Sequence, residues 1–455
     1  WGARPAALVL QHLPGIAKIR VFDRAAGPDP GSARAALGVG LWSTALRKLE
    51  LLHQRHATFA AEGLPSVVRE LEGVGSYLQK AGYRAPGGQW LAWTDLGYGE
   101  GKTLGEVDDT HAALLFVRQG QLHEIVRDAV LARNKLGAEV EIRGGAAVKS
   151  VSRSDSGERV RIAFDGGKQD VEADLFIAAD GASSKLRTIR NGGVEQRLQH
   201  RGYRVFRGIA ELPKDKLYMR SSVDFSGSFQ TWGHGNNMRF AAVPLKSEGD
   251  YTEQWVWFAT VASQEGSELP ENVRSYLLNT FSKWHPEVNY LISATDEEGF
   301  VIDEAKALPT ALIRRRTSRH VDLPLTLLGD AAHVADPVLA QGYTIGMEDA
   351  IELGFQLEKL LKVNPSSAFQ LDSLVPSRTR LLGALRAFEA ARVDRVVRLE
   401  IISELVQSMS QPQTSVIGSL RDLGMLSAPQ LVKEPVFRSL IEASLSPRSN
   451  RVPLG

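Results

Sequence analysis

The sequence predicts a mixed α/β protein that holds one nucleotide-like ligand, and three strand exits carry that reading. Leu325 to Leu328 is an apolar run that ends at Gly329-Asp330. Small residues follow, Asp336-Pro337 turns the chain, and Gln341-Gly342 opens an apolar-periodic helix. Lys18 to Asp23 alternates as a strand that closes on an acid, directly after a short helix over Ala6 to Leu13. Val171 to Ala179 is a strand that leads into Asp180-Gly181. A carboxylate at a strand end accepts hydrogen bonds from ligand hydroxyls, and the free N–H groups of a following helix face negative charge.

Bulk properties narrow the classes. The 455 residues suffice for one large or two moderate domains with ample core. A hydrophobic fraction of 43%, a charged fraction of 24% and a net charge of +1 are those of an ordinary globular protein, and they argue against a nucleic-acid partner. The absence of Cys excludes disulfides, thiolate zinc sites and cysteine nucleophiles. No apolar run reaches the roughly 18 residues of a transmembrane segment. The expectation is a soluble protein, with the compartment open between cytoplasm and an organellar matrix. The start, Trp1-Gly-Ala-Arg-Pro, lacks Met and reads as a processed or truncated beginning.

The elements follow in order. Helix, strand and Asp23 form the second half of a dinucleotide-binding βαβ unit, in which the acid takes ribose hydroxyls. Its first half, a strand with a Gly-x-Gly-x-x-Gly turn, is not in the sequence, and only Gly2 stands in roughly the right place. Gly31 to Leu52 passes from small residues into an amphipathic helix, and about 75–108, with Trp90 and Trp93, reads as hairpin strands. Arg118 opens a helix, an unfavourable position beside the helix dipole that hints at an anionic partner. Val148 to Phe164 forms strands around a Ser154-Asp-Ser-Gly turn. Ser184 and Arg187 are placed to tether the Asp180-Gly181 turn. Tyr203 to about Glu298 reads as antiparallel strands, with Tyr203, Arg204 and Arg207 as candidates for pocket polarity. Trp255 and Trp257 share one sheet face, where plain packing is the commoner use. His111, His123, His234 and His285 lack the spacing of a metal site or a triad. Helices cover Ile351 to Lys362 and Arg378 to Met409, interrupted around 365–376; the final 45 residues read as a packed C-terminal extension, with a peripheral membrane or subunit contact as the alternative.

These motifs together resemble the aromatic-hydroxylase-like, single-component flavoprotein monooxygenases. The resemblance implies an α/β fold with a discontinuous, Rossmann-like FAD-binding domain, an inserted and mostly antiparallel β substrate domain, and a helical C-terminal region. The boundaries it implies are 1–190 and 301–362 for the FAD-binding parts, 191–300 for the substrate sheet and 363–455 for the C-terminal region. Asp23 would meet the adenosine ribose, Arg34 would approach the flavin, and Arg118 would meet the diphosphate. Asp180 would lie near FAD and the passing nicotinamide, Gly329-Asp330 at the ribityl chain, and Pro337 and Gly342 beside the ring. No catalytic base and no metal are implied.

The function implied is oxygen transfer: NAD(P)H reduces FAD, and O2 supplies an atom to hydroxylate or epoxidise a small hydrophobic, aromatic or polyene substrate. Departures from the family pattern are Ala178 and Ala340 where Gly is usual, Thr344 in place of Asn, and the unseen phosphate-cradling turn. They keep an alternative open, a degenerate flavoprotein fold that serves as a structural or assembly subunit without turnover. A sheet without its first strand exposes unpaired edges, so a longer chain or a protein partner covering the gap is expected.

Overall fold

The computed structural model describes residues 2–13, 15–25, 32–55, 63–78, 80–96, 104, 113–133, 137–213, 228–246, 252–315, 323–362, 378–412 and 414–445. His111 and the expected interruption at 365–376 lie outside these residues.

The chain opens with α1 (Ala3–Leu10), which buries six of its eight residues, and β1 (Lys18–Phe22). Gly2 precedes α1 where a Cβ would come within 2.5 Å of Leu328, so helix and strand approach closely there. The amphipathic helix expected within 31–52 is α3 (Ser43–Arg55), and the small residues before it form two further elements, α2 (Ala33–Ala36) and β2 (Gly38–Trp42). Gly38 and Gly40 explain the strand, since they weaken a helix and let β2 lie flat against neighbours; a Cβ on Gly38 would meet Val256 at 2.8 Å. Ser66 caps α4 (Val67–Val74), and β3 (Ser76–Tyr77), β4 (Lys80–Arg84), β5 (Trp90–Asp95) and β6 (Leu114–Arg118) follow.

Arg118 ends β6 and is the N-cap of α5 (Gln119–Ala132). Next come β7 (Glu139–Arg143) and the hairpin of β8 (Val148–Arg153) and β9 (Val160–Phe164). The strand expected over 171–179 is split at Asp174. Its first part, β10 (Val171–Ala173), stays with β9, and its second, β11 (Phe176–Ala178), crosses to another sheet. The next elements are α6 (Lys185–Arg190), β12 (Gln199–Pro213), β13 (Phe229–Trp232), β14 (Arg239–Leu245) and β15 (Thr252–Ala262).

Strands expected as far as 298 give way earlier, to α7 (Val273–Thr280) and α8 (Pro286–Ser293). Asn272 caps the first and Pro286 starts the second, both ordinary helix signals. The chain closes with β16 (Val301–Ala307), α9 (Thr310–Arg315), β17 (Leu325–Leu327), α10 (Gly342–Lys362), α11 (Arg378–Ser410), α12 (Ser415–Ser427) and α13 (Gln430–Leu445).

A seven-stranded sheet in the order β16-β12-β15-β14-β13-β4-β5 dominates, antiparallel except between β13 and β4. It draws in the 80–95 hairpin and, past the expected boundary at 300, strand β16. Trp255, Trp257, Phe206 and Phe240 point from one face into a core with α7 and α8. Trp257 donates to Thr295 at 2.7 Å, so the Trp pair is packing. Two parallel pairs, β1–β7 and β11–β17, stand as separate sheets, and β2-β6-β3 forms another.

Candidate functional site

A cavity of about 450 Å³ lies on the opposite face of the large sheet. Trp42, Phe116, Phe258 and Phe437 supply apolar wall, while Asp330, Asp336, Pro337 and Gly342 line another side. The period of two along β12 decides which of its side chains contribute: Tyr203 and Arg207 face the cavity. Arg204 points the other way, where Nη1 donates to the Glu268 carbonyl at 2.7 Å.

Gly329 turns the chain off β17 with φ +61°, and its N–H donates to Asp349 at 2.7 Å. Asp349 is buried on α10 with Arg392 Nε at 2.5 Å and His333 Nε2 at 2.8 Å. Burial alone would raise its pKa; the charges of His333 and Arg392 and the Gly329 N–H overcome that and hold the carboxyl well below the usual range. Glu348, beside Arg392 and Arg395, is likewise held down at about 2 against its burial. Asp330 differs. Its carboxylate opens onto the cavity and has no hydrogen-bond partner among the described residues. Surrounding protein raises its pKa, opposed by the charges of His333 and Arg187.

The second turn is built on Asp180. Ser184 Oγ donates to Asp180 Oδ1 at 2.5 Å, Gly181 takes φ +81°, and Ser184 also caps α6. Arg187, buried, donates to the carbonyls of Ala182, Asp330 and Ala331 at 2.8, 2.7 and 2.9 Å. The tether expected of Ser184 and Arg187 is present, and it reaches across to the Gly329-Asp330 turn.

Asp336 organises the third side. Its carboxylate accepts from Tyr203 Oη at 2.6 Å, Arg201 at 2.7 Å and the Val338 N–H at 2.9 Å, while its own N–H donates to Glu400 at 2.8 Å. Burial lifts the Glu400 carboxyl to about 7. Arg239 is held by Val338 O at 3.0 Å and Gln230 at 2.8 Å, and burial lowers its pKa. Ala340 stands in the left-handed region at φ +51°, where Gly costs least, which explains why Gly is the expected residue. Thr344 accepts from the Trp42 N–H at 3.0 Å, so its hydroxyl joins α10 to β2.

Four of the expected residues, Gly329, Asp330, Pro337 and Gly342, lie in or beside the cavity, and Asp180 is joined to them through Arg187. The other three do not line it. Asp23 follows β1, exposed, and accepts from the Ala25 N–H at 3.0 Å. Arg34 pairs with Asp303, which also binds Arg207. Arg118 has no partner among the described residues, at a helix start with no acid in the first turn.

Sequence reading missed Asp336, Arg239, Asp349 and Glu400. Charged pairs at Glu348-Asp349 and Arg392/Arg395, set on the apolar-periodic faces of long helices, were the available signal. His285 is used structurally, between Thr231 and Glu287 at 2.7 Å each. Among the described residues no group of three or more His, Asp or Glu could hold a metal, and no helix is long and apolar enough to cross a membrane.

Comparison with known proteins bears on this arrangement. The aurachin C monooxygenase/isomerase of Stigmatella aurantiaca is 28% identical over 390 residues, covering 84% of this chain and 80% of that protein. The chloroplastic zeaxanthin epoxidase of Solanum lycopersicum is 27% identical over 268 residues, and the matched part spans 36% of that longer protein and 59% of this chain. The crystal structure of Klebsiella pneumoniae HpxO complexed with FAD and uric acid shares the fold, with a TM-score of 0.65 at 19% identity, covering 95% of this chain and 98% of that one. A family model described as "FAD binding domain" matches residues 22–381, which takes in every strand of the large sheet and all three turns. By that match over most of its length, the chain belongs to the FAD-binding-domain family of flavoproteins.

Proposed function

We propose that this chain is an FAD-dependent monooxygenase that uses NAD(P)H and O2 to hydroxylate or epoxidise a small hydrophobic molecule, aromatic or polyene in character. The observation that carries the proposal is the unpartnered Asp330 carboxylate opening onto a largely apolar cavity. A carboxylate that faces a cavity without a donor of its own fits a ligand rich in hydroxyls, as the ribityl chain of FAD is. In this reading Asp23 takes the ribose, Arg118 faces the diphosphate, Gly329 and Asp180 shape the turns beside the cofactor, and Pro337 and Gly342 border its ring. Arg34 acts through Asp303 and Arg207 at the cavity edge. Segments 1–190 and 301–362 supply the cofactor side and the large sheet supplies the substrate side, joined by the 80–95 hairpin and β16.

Bound FAD would take electrons from NAD(P)H and activate O2. The residues of the chain have narrower tasks. Trp42, Phe116, Phe258 and Phe437 exclude water and hold a flat or extended apolar substrate. Tyr203, Gln230 and Arg239 form the polar corner that orients an oxygen substituent. Tyr203 is already bound to Asp336, which fixes its hydroxyl. The relatives named monooxygenase and epoxidase support this class of reaction. An open cavity with a free carboxylate speaks against a purely structural role.

The test is turnover under labelled oxygen. NAD(P)H consumption by the flavin-loaded protein should rise with an apolar aromatic or polyene compound, and the product should carry 18O from O2. Label entering from water instead would exclude oxygen transfer from O2.

A further inference from the structure

Helix α12 is inside out. Between residues 411 and 432 the only charged side chains are Arg421 and Asp422, and both point inward. Asp422 is buried and takes His234 Nε2 at 2.7 Å; Arg421 donates to the Met409 carbonyl at 2.8 Å. Gly418 seats the helix so closely that a Cβ there would come within 2.5 Å of the His234 main chain. These contacts fix the rotation of α12 and turn Val416, Ile417, Leu420, Leu423 and Leu426 outward, each more than half exposed. Leu431 continues the face onto α13 at 85% exposed. A solvated helix has the reverse pattern.

We propose that this outer face of α12, with the adjoining turn of α13, docks on the surface of a lipid bilayer. The composition of the face selects the occupant. Protein interfaces are anchored by Tyr, Trp and Arg and take roughly 20–30 residues a side. The segment 411–432 contains no aromatic residue, and its single Arg is turned inward. The α12 face is neutral and aliphatic, with Ser as its outward polar side chains, and it matches the hydrocarbon boundary of an uncharged lipid surface, where binding grows with buried apolar area. Since no described helix is long and apolar enough to span, the helix lies in the interface plane.

Docking in this way sets the cavity beside the lipid. Phe437, Leu440 and Ile441 of α13 and Met409 of α11 line the cavity from the inner side of the same helical layer. An apolar substrate dissolved in the bilayer would then have a short path inward. That route rests on the monooxygenase reading; the docking does not.

The experiment is flotation of the full chain with phosphatidylcholine vesicles. The chain should float with them, and salt should change binding little, because the face carries no charge. The double variant Leu420→Asp/Leu423→Asp should lose at least about tenfold in vesicle binding. Its thermal midpoint and flavin content should match the parent, since both side chains are exposed and neither lines the cavity. Leu431→Asp/Val432→Asp on α13 should give the same loss by an independent change. A parent chain that stays with the buffer, or variants that float as well as the parent, overturns the proposal. So does a parent that sediments as a dimer, does not float, and becomes monomeric in the double variant, because the face would then be covered by a second copy.

Discussion

Arg187 donates from Nη2 to the main-chain oxygen of Asp330 at 2.7 Å, across 143 positions of sequence. Its Nε reaches the Ala331 oxygen at 2.9 Å, and Nη2 also serves Ala182 at 2.8 Å. The exits of β11 and β17, neighbours in a parallel pair, are thereby held as one piece. Asp330 is aimed into the cavity by a residue from the other turn.

Replacing that guanidinium should be costly. Arg187→Met keeps the apolar stem but leaves three inward carbonyls without their donor, and each unsatisfied group costs about 1–3 kcal/mol. The expected loss is roughly 3–5 kcal/mol in urea unfolding, with flavin binding weakened beyond the loss of stability. An unfolding midpoint equal to the parent's would show that water replaces the guanidinium and that the tether is dispensable.

Asp330→Ala separates binding from folding. Loss of a charge-assisted bond to a ligand hydroxyl is worth roughly 1.5–3 kcal/mol, about ten- to a hundredfold in flavin affinity. The flavin-free protein should not suffer. The folded pKa of Asp330 is raised, so its contribution to stability is complete at low pH and is lost as pH rises through the folded value. At pH 7 to 8 the flavin-free variant should be at least as stable as the parent. Flavin retained equally through dialysis would remove Asp330 from the cofactor site. Asp23→Ala should act the same way more mildly, because Asp23 is exposed and already satisfied by Ala25.

At position 340 the parent residue is the strained one. Ala at φ +51° pays about 1–2 kcal/mol for the left-handed region, and glycine returns roughly 0.4–1 kcal/mol of that through the entropy of the unfolded chain. Ala340→Gly should therefore stabilise the protein by about 0.5–1 kcal/mol, read as a rise in the melting temperature. A fall would mean that the Ala340 methyl group contributes packing at the cavity wall that outweighs the strain.

The sequence made the strand exits legible because each couples a buried apolar run to a turn residue with a backbone reason to be there. Gly329 and Gly181 both take positive φ, and Asp180 and Ser184 form one local hydrogen-bonded turn. Helices α7 and α8 were missed although Asn272 and Pro286 mark their starts, because the strand reading that began at Tyr203 was carried on to about Glu298. Strand β2 was not foreseen because Gly38 and Gly40 have meaning only once Val256 and Leu114 are known to press on them. Asp336, Arg239 and Glu400 could not be assembled from the sequence at all. They lie on a turn, a sheet strand and a long helix, and the tertiary fold alone brings them together.

Glu400 gives the pH prediction its sign. Burial raises its folded pKa to about 7, the carboxylates of Asp336 and Glu404 push the same way, and Arg201 and the Asp336 N–H oppose them. A raised acid stabilises the fold fully below its unfolded value and loses that contribution as pH rises through the folded one. The parent should therefore lose stability between about pH 4.5 and pH 7, by at most about 3 kcal/mol. Glu400→Gln keeps an oxygen to accept from the Asp336 N–H at the 2.8 Å position and removes the titration. Urea midpoints of parent and variant, measured from pH 5 to 8, should separate as pH rises, with the variant more stable at pH 8. Parallel curves would show that Glu400 remains ionised in the folded protein, with Arg201 supplying enough charge to offset its burial.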